Sequence, residues 1–264
     1  MAKTYRLILF DCVNTLYLPD ASCRPLLVID GVPSPSTAPL LLERLAERLP
    51  GLDALTVHRA QRRSWRWAEE QRGAAHREIA ADARFRYALA ALGLPADDAA
   101  LVAELMAVHY RAVVGTFALP REHVRLLDEL GRHYRLALFS NFDHAPPLRE
   151  RLERDGLLER LHPVVISAEI GWRKPGRAAF DRALELAGAA PEEILFVGDS
   201  YGDDVAGARA AGIDCAWLNP AADPLPEGPP PAFELRALTD LRRVLGRAHL
   251  AADLPADGAE RTIP

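Results

Sequence analysis

The chain has 264 residues, of which 49% are hydrophobic and 26% charged, a composition typical of globular proteins with one large domain or a core plus a smaller domain. The formal net charge of −5 gives no support for a nucleic-acid partner, and no apolar run is long enough to span a bilayer. The first residues lack the apolar core and cleavage site of a signal peptide, so we expect a cytoplasmic protein.

Five short apolar runs predict strands, at residues 5–10, 135–139, 164–167, 194–197 and 215–218. Longer segments with helical periodicity separate them. Strands that alternate with helices are typical of an α/β fold, here a Rossmann-like, mostly parallel sheet with helices on both faces.

About 120 residues separate the first two predicted strands, far more than a simple crossover needs. Residues 19–37, rich in proline, serine and glycine, predict a linker or flap. Helical segments are predicted at 38–49, 55–72, 80–92 and 96–114. The insertion leaves the sheet just after Asp11, so we expect a helical cap over the carboxyl ends of the strands, where such sheets bind ligands.

The last part of the chain is less regular. Residues 219–232 contain six prolines, which exclude a helix or a central strand there, and a final helix is predicted at 238–247. The predicted division is an α/β core formed by residues 1–18 and 116–250, a linker and cap at 19–115, and a flexible tail at 251–264.

The rare residue types carry information. The cysteines Cys12, Cys23 and Cys215 form no C-x-x-C pair, which predicts neither a disulfide framework nor a zinc site. Only Lys3 and Lys174 among the 32 basic residues are lysines. Because an ammonium is a compact charge and a guanidinium a planar fork, a lysine in such an arginine-rich chain marks Lys174 as a candidate site residue.

Polar residues follow four of the predicted strands, at ends that a parallel sheet brings to one edge. Asp11 follows the first, Ser140 ends the second, Lys174 lies beyond the third, and Asp199 follows the fourth. A carboxylate can attack phosphorus to form an aspartyl-phosphate, and a lysine can stabilise the charge that develops. Carboxylate oxygens are also the ligands that Mg²⁺ prefers.

The four segments resemble the four motifs of the haloacid dehalogenase-like hydrolase superfamily, in the same order. The family's D-x-D-x-T corresponds to D-C-V-N-T at residues 11–15, its strand-end serine or threonine to Ser140, and its lysine to Lys174, followed by Pro175. Its G-D-S-x-x-x-D corresponds to residues 198–204. The insertion matches the family's helical cap in position only.

The resemblance implies a Mg²⁺-dependent hydrolase, most simply a phosphatase that acts on a small phosphorylated metabolite. It implies Asp11 as the nucleophile with Lys174 beside it, and substrate contacts from Ser140, Asn141 and Thr15. The implied metal ligands are Asp11, the main-chain carbonyl of Val13, Asp199, and Asp204 with Asp203 as the alternative. The expected partner is a small anionic substrate, without nucleic acid or membrane, and the chain is expected to be a monomer or homodimer.

One position departs from the family. Val13 replaces the aspartate that acts as the general acid and base in the family's phosphatases, a loss of typically 10²–10⁴ in rate. Another group could supply the proton, with His144, Asp143 and His76 as candidates. Alternatively, the protein is a 2-haloacid dehalogenase-like hydrolase, whose halide leaves unprotonated, or a catalytically weak binding protein. A phosphonoacetaldehyde hydrolase is excluded because residues 19–130 contain no lysine for a Schiff base.

The insertion contains arginines and tryptophans that could contact a substrate. An Arg-rich solvated helix face is the favoured interpretation for the arginines, and anion selection is the alternative. Trp65 and Trp67 are two residues apart, so at most one of them is expected to face the crevice. The arginines in question are Arg72, Arg77, Arg84 and Arg86.

Overall fold

A six-stranded parallel sheet is the centre of the computed structural model, which describes the main chain of residues 4–252 and the side chains of residues 4–246. The strands are β1 (Leu7–Phe10), β2 (Leu18–Pro19), β3 (Leu26–Ile29), β4 (Val32–Pro35), β5 (Phe117–Ala118), β6 (Arg135–Ser140), β7 (Val164–Ile166), β8 (Ile194–Gly198), β9 (Asp214–Leu218) and β10 (Phe233–Leu235). The sheet has the order β10-β9-β8-β1-β6-β7, which places β1 between β6 and β8.

Ten α-helices accompany the strands in the described part of the chain. They are α1 (Ala38–Leu45), α2 (Ala54–Arg72), α3 (Ala81–Ala91), α4 (Ala99–Gly115), α5 (Arg121–Leu130), α6 (Ala145–Arg154), α7 (Ser167–Ile170), α8 (Arg177–Ala187), α9 (Gly207–Ala210) and α10 (Leu241–Ala252). None of the helices within residues 4–252 combines the length and apolar character needed to cross a membrane.

Both faces of the sheet are apolar, which explains the continuous hydrophobic runs in the sequence. In β1, Ile8 and Phe10 belong to one buried cluster, whereas Leu7 and Leu9 belong to a second cluster on the opposite face. Successive side chains of a strand point to opposite faces, so a strand covered on both sides must be apolar at every position. The predicted α/β class is therefore confirmed.

All five predicted strands are present, with ends that differ by two residues or fewer. A sixth strand, β10, pairs with β9 at the edge and was not predicted. It has only three residues and directly follows the proline-rich segment, so the sequence contains no run long enough to indicate it. The predicted tail lies outside the described residues, except for residues 251–252, which belong to α10.

Residues 19–115, here called the insertion, contain helices α1–α4. The prediction of a linker or flap at 19–37 missed a hairpin formed by β3 and β4. Asp30 and Gly31 connect these strands with φ values of 50° and 83°. An Asp-Gly pair with positive φ at both positions is a strong hairpin signal, so this element was readable from the sequence.

Two aspartates set the starts of helices in the insertion. Asp53 accepts a hydrogen bond from the Thr56 main-chain N–H at 2.9 Å, and Asp98 accepts one from that of Leu101 at 3.0 Å. Each carboxylate satisfies an N–H that has no partner within its helix. These aspartates define the first turns of α2 and α4. Helix α2 begins at residue 54, one residue before the predicted start, and α4 begins at residue 99, three residues after it.

His109 is a buried histidine within the insertion. Its Nδ1 lies 2.8 Å from Thr37 Oγ1 and 3.3 Å from Gln61 Nε2. Because the amide nitrogen of Gln61 can only donate, Nδ1 is the unprotonated, accepting nitrogen of a neutral ring. Burial, helped by the charge of Arg84, lowers the pKa of His109 to about 4.

This pKa predicts a loss of stability on acidification. In the unfolded chain the histidine has a pKa of about 6.5 and is protonated below that pH, whereas in the folded protein it stays neutral until about pH 4. The free energy of unfolding therefore falls as the pH drops from about 6.5 towards 4. Between pH 7 and 5 the contribution is on the order of 2 kcal/mol. We expect urea unfolding to show a smaller loss in His109→Gln than in the wild type over this interval. Equal losses would contradict the assignment.

Candidate active site

Lys174 lies at the centre of the predicted site, with only 1% of its surface exposed. Its Nζ donates hydrogen bonds to Asp11 Oδ1 at 2.6 Å, to Asp204 Oδ1 at 2.7 Å and to the Phe139 carbonyl at 3.0 Å. The three N–H groups of the ammonium thus have three acceptors. Burial alone lowers the pKa of Lys174, but the attraction of Asp11 and Asp204 outweighs it and raises the pKa above its ordinary value. The amine therefore carries its charge.

Three carboxylates form a cluster beside this ammonium. One oxygen from each of Asp11, Asp199 and Asp204 lies within 4.8 Å of the others. Burial, followed by repulsion from Asp11, raises the pKa of Asp199 to about 6. Burial also raises the pKa of Asp204, to about 7, because it outweighs the opposing effect of Lys174. When all three carboxylates are ionised, Lys174 leaves two negative charges uncompensated, which favours the binding of a cation.

The sheet brings these residues together. Asp11 directly follows β1, and its main-chain N–H donates to the Val197 carbonyl of the neighbouring strand at 2.8 Å. Gly198 ends β8, where a Cβ atom would lie only 2.2 Å from Asp204 Oδ2. The Ser200 N–H donates to the same oxygen at 3.0 Å. A glycine at 198 is therefore required for Asp204 to reach Lys174.

Asp203 and Asp204, the two alternatives for the last metal ligand, lie in different surroundings. Asp204 is 1% exposed and belongs to the carboxylate cluster. Asp203 instead accepts a hydrogen bond from Asn141 Nδ2 at 3.1 Å. Both lie in a π-helical turn, Tyr201–Ala206. The Ser200 hydroxyl caps this turn by accepting a hydrogen bond from the Asp203 main-chain N–H at 3.2 Å.

Asn141 supports the loop that carries Lys174. Its Oδ1 accepts from the Lys174 N–H at 2.8 Å, and its Nδ2 donates to the Lys174 carbonyl at 2.9 Å. The side chain is thus engaged by the protein. Substrate binding by Asn141 stays a prediction. Because its side-chain atoms have protein partners, the group proposed to contact substrate is its main-chain N–H.

Two hydroxyl groups predicted to contact substrate lie at the same edge. Thr15 is fully buried, and its Oγ1 donates to Asp199 Oδ1 over 3.4 Å. Ser140 is 1% exposed and interacts with the thiol of Cys12. Cys12 is itself buried in the hydrophobic core, as its predicted orientation away from Asp11 requires. Burial raises the pKa of this thiol, which keeps it protonated.

Val13 packs against the hydrophobic core and offers no proton-transfer group. Three residues were candidates to supply the proton instead. Of these, Asp143 accepts hydrogen bonds from Arg84 Nε and from the Tyr110 hydroxyl, both at 2.6 Å. The half-buried His144 packs against the Tyr110 ring, with centroids 4.7 Å apart, and burial lowers its pKa. His76 accepts a hydrogen bond from the Arg173 N–H through its carbonyl. These contacts identify no replacement acid.

The expected solvated helix face is wrong for Arg72 and Arg84, which are buried with 5% and 2% of their surface exposed. The guanidinium of Arg84 lies 3.6 Å from the centroid of the Trp65 ring and joins the insertion to Asp143 of the core. Trp67 stacks on Tyr87, with centroids 4.9 Å apart, on another side of α2. The two tryptophans thus point to different surroundings, as their spacing predicts.

Two further residues of the insertion contact the core and were not predicted from the sequence. Tyr110 donates to Asp143, and Glu78 accepts from Ser167 Oγ at 2.5 Å. No local pattern distinguishes either residue, because both contacts join residues more than 30 positions apart in the chain.

Comparison with known sequences identifies the family to which this geometry belongs. The profile of a family described as haloacid dehalogenase-like hydrolase matches residues 5–212, which include the whole cluster around Lys174. The chain is a haloacid dehalogenase-like hydrolase. The resemblance inferred from the four motifs is thereby confirmed.

Several relatives of this haloacid dehalogenase-like hydrolase are named as phosphatases or nucleotidases. Pyrimidine 5'-nucleotidase YjjG of Escherichia coli is 35% identical over 123 residues, which cover 46% of this chain and 54% of that protein. Phosphoserine phosphatase of Thermus thermophilus is 39% identical over 126 residues, 47% of this chain and 49% of that protein. The chain therefore spans about half the length of these curated relatives.

Solved structures share the fold over nearly the whole length. The 2-haloacid dehalogenase from Pseudomonas syringae has a TM-score of 0.70 and 23% identity, and the alignment covers 92% of this chain and 99% of that one. The putative HAD-hydrolase YfnB of Bacillus subtilis, described as bound to magnesium, has a TM-score of 0.61 and 24% identity over the same shares. At these identities the likeness establishes the fold of this haloacid dehalogenase-like hydrolase, not its substrate.

Proposed function

We propose that this protein is a Mg²⁺-dependent phosphatase that acts on a small phosphorylated metabolite through an aspartyl-phosphate on Asp11. The observation that carries the proposal is the cluster of Asp11, Asp199 and Asp204 around Lys174. A purely organic acyl or alkyl transfer would need no such concentration of carboxylates. The relatives named as a nucleotidase and a phosphoserine phosphatase support the same reaction class.

The residues present fit Mg²⁺. The three carboxylates offer hard oxygen atoms, and the two uncompensated charges match a divalent ion. Asp11, Asp199 and the main-chain carbonyl of Val13 would hold the ion directly, with Asp204 at the buried side of the cluster. When bound, the ion supplies positive charge against the oxygens of the transferred phosphoryl group.

The chain's own groups account for the chemical steps. A carboxylate oxygen of Asp11 attacks phosphorus, an O–P bond forms, and the bond to the leaving oxygen breaks with its electron pair. Because Val13 has no proton to give, the leaving group takes one from water. A second water then attacks phosphorus, which releases inorganic phosphate and restores the carboxylate.

Other groups hold the reactants in place. Lys174 fixes Asp11 Oδ1, which leaves Oδ2 as the attacking oxygen. The Ser140 hydroxyl and the Asn141 main-chain N–H are the proposed donors to the phosphoryl oxygens. The Thr15 hydroxyl donates to Asp199 Oδ1, so it would donate to a phosphoryl oxygen only by exchanging that acceptor. Arg84 and Glu78 join the insertion to the core, and the insertion would thereby restrict the access of water to the site.

The direct test is hydrolysis of an aryl phosphate, whose leaving group needs little protonation. We expect turnover with Mg²⁺ and a loss of turnover when a chelator is present, restored by excess Mg²⁺. Turnover that is insensitive to chelation, or its absence with Mg²⁺ across aryl and alkyl phosphates, would contradict the proposal.

One observation favours a second candidate function. Val13 suits a 2-haloacid dehalogenase, since halide leaves without a proton. In that case Asp11 would attack carbon, and the acidic cluster would have no cation to bind. Halide release from 2-haloacids above the uncatalysed rate in the presence of chelator would support this alternative, whereas release no faster than the uncatalysed rate would exclude it.

Val13 also provides a prediction about rate. We expect Val13→Asp to raise kcat/KM for alkyl phosphates by about 10²-fold or more, because an acid near the leaving oxygen would protonate it. The gain should be much smaller for an aryl phosphate with an acidic phenol. Val13→Asn, which has a similar shape but no acid, is the control. Equal effects of the two substitutions would show that proton transfer is not limiting.

A further inference from the structure

Glu78 is a buried carboxylate that the insertion places against the core. It lies between α2 and α3, with 2% of its side chain exposed. Its Oε2 accepts from Ser167 Oγ at 2.5 Å, and its Oε1 accepts from Arg173 Nη1 at 3.3 Å and from the Ile79 N–H at 3.0 Å. One carboxylate therefore contacts two separate segments of the core.

The first of these segments continues to Ser140. Ser167 begins α7, and its Oγ accepts a hydrogen bond from the Phe142 N–H at 2.8 Å. Phe142 is two residues beyond Ser140. The Ser167 hydroxyl thus donates its hydrogen bond to Glu78, and its lone pairs remain free to accept the one from the Phe142 N–H. A chain of two hydrogen bonds thus joins Glu78 to the loop after β6.

The second segment continues to Lys174. Arg173 precedes Lys174, and its guanidinium pairs with Glu78. The main chains also pair here: the Arg173 N–H donates to the His76 carbonyl at 3.0 Å, and the Glu78 N–H donates to the Gly171 carbonyl at 3.0 Å. The loop that carries the buried ammonium is therefore held by the insertion on its outer side.

We propose that Glu78 is a positioning residue for hydrolysis: it holds the loops of Ser140 and Lys174 in their reactive arrangement when the insertion lies against the core. This inference rests on the proposed function. Errors of about 1 Å in the placement of reacting groups cost on the order of 10² in rate. Glu78 does not transfer protons itself, since its oxygens are held by the Ser167 hydroxyl, the Ile79 N–H and two guanidinium groups, those of Arg173 and of the buried Arg72.

The experiment compares Glu78→Ala and Glu78→Gln with a matched control. Glu104→Ala removes another carboxylate of the insertion that takes part in an ion pair, with Arg44 at 3.6 Å, but its side chain is 47% exposed. We expect Glu78→Ala to lower kcat for an aryl phosphate by about 10²-fold with KM within about threefold. Glu78→Gln keeps an acceptor for Ser167 but loses the charge, so its kcat should lie between those of Glu78→Ala and the wild type. The kcat of Glu104→Ala should stay within twofold of the wild-type value.

Amide hydrogen exchange gives a readout that needs no turnover. In both Glu78 variants, peptides with the Phe142 and Lys174 amides should exchange faster than in the wild type, and in Glu104→Ala they should not. If the wild type hydrolyses no phosphate, the proposed function fails while exchange still decides the positioning role. Unchanged exchange, or a kcat of Glu78→Ala within twofold of the wild type, would overturn the inference. If Glu78→Ala does not fold, Glu78→Gln decides by the same criteria.

Discussion

Replacing Asp11 with asparagine should lower kcat for an aryl phosphate by about 10⁴-fold or more. Asparagine has almost the same shape, but its amide does not attack phosphorus as a carboxylate does. Loss of a nucleophile typically removes nearly all catalysis beyond binding and positioning. The measurement is steady-state turnover at saturating Mg²⁺, with the melting temperature recorded for each protein.

Asp181→Asn is the matched control for this substitution. Asp181 is 52% exposed and pairs with Arg177 on the surface of α8. This variant should retain full activity. If Asp11→Asn keeps more than about 1% of wild-type turnover while remaining folded, Asp11 is not the nucleophile.

Replacing Lys174 with methionine should destabilise the protein by about 3–5 kcal/mol at pH 7. The side chain is fully buried, and its removal leaves Asp11 and Asp204 next to each other without a counter-charge. Methionine has a similar length, so little of the loss comes from a cavity. Urea unfolding without Mg²⁺ measures this effect independently of any substrate.

A second substitution separates charge from packing. In Lys174→Met, the further change Asp204→Asn removes one of the unpaired carboxylates and should recover part of the lost stability. In the wild type, Asp204→Asn should instead destabilise, because it removes a partner of Lys174. Additive effects of the two substitutions would show that the ion pair is not coupled as the structure indicates.

The sheet and the positions of Asp11, Ser140, Lys174 and Asp199 were predictable for a physical reason. Parallel strands covered on both faces must be apolar throughout, so polar residues at their ends are conspicuous. Parallel pairing then brings these ends to one edge without further information. The scarcity of lysine added an independent signal for Lys174.

The distinction between Asp203 and Asp204 was not predictable in the same way. Both follow β8 at a suitable spacing, and the π-helical turn decides which carboxylate turns inward. Likewise, the sequence offers no signal that Arg84 is buried against Asp143 while Arg86 remains partly exposed beside Asp82. Such choices depend on contacts between distant segments, which short-range periodicity does not encode.

Val13 shows where family resemblance and local chemistry diverge. The motif predicts a nucleophile, and the structure places Asp11 beside a charged lysine in an acidic cluster. The usual acid is replaced by a side chain packed against the core. If Asp11 is the nucleophile, as we propose, this combination predicts substrates whose leaving group departs without protonation by the protein.

Transfer of the phosphoryl group through Asp11 is tested most directly by rapid-quench mass spectrometry of the wild type during turnover of an aryl phosphate with Mg²⁺. We expect an acid-stable, hydroxylamine-sensitive phosphoryl adduct on the peptide that contains Asp11, formed as fast as the phenol is released. Release of phenol with the phosphoryl group on another residue, or with no adduct at any time during the first turnover, would contradict it.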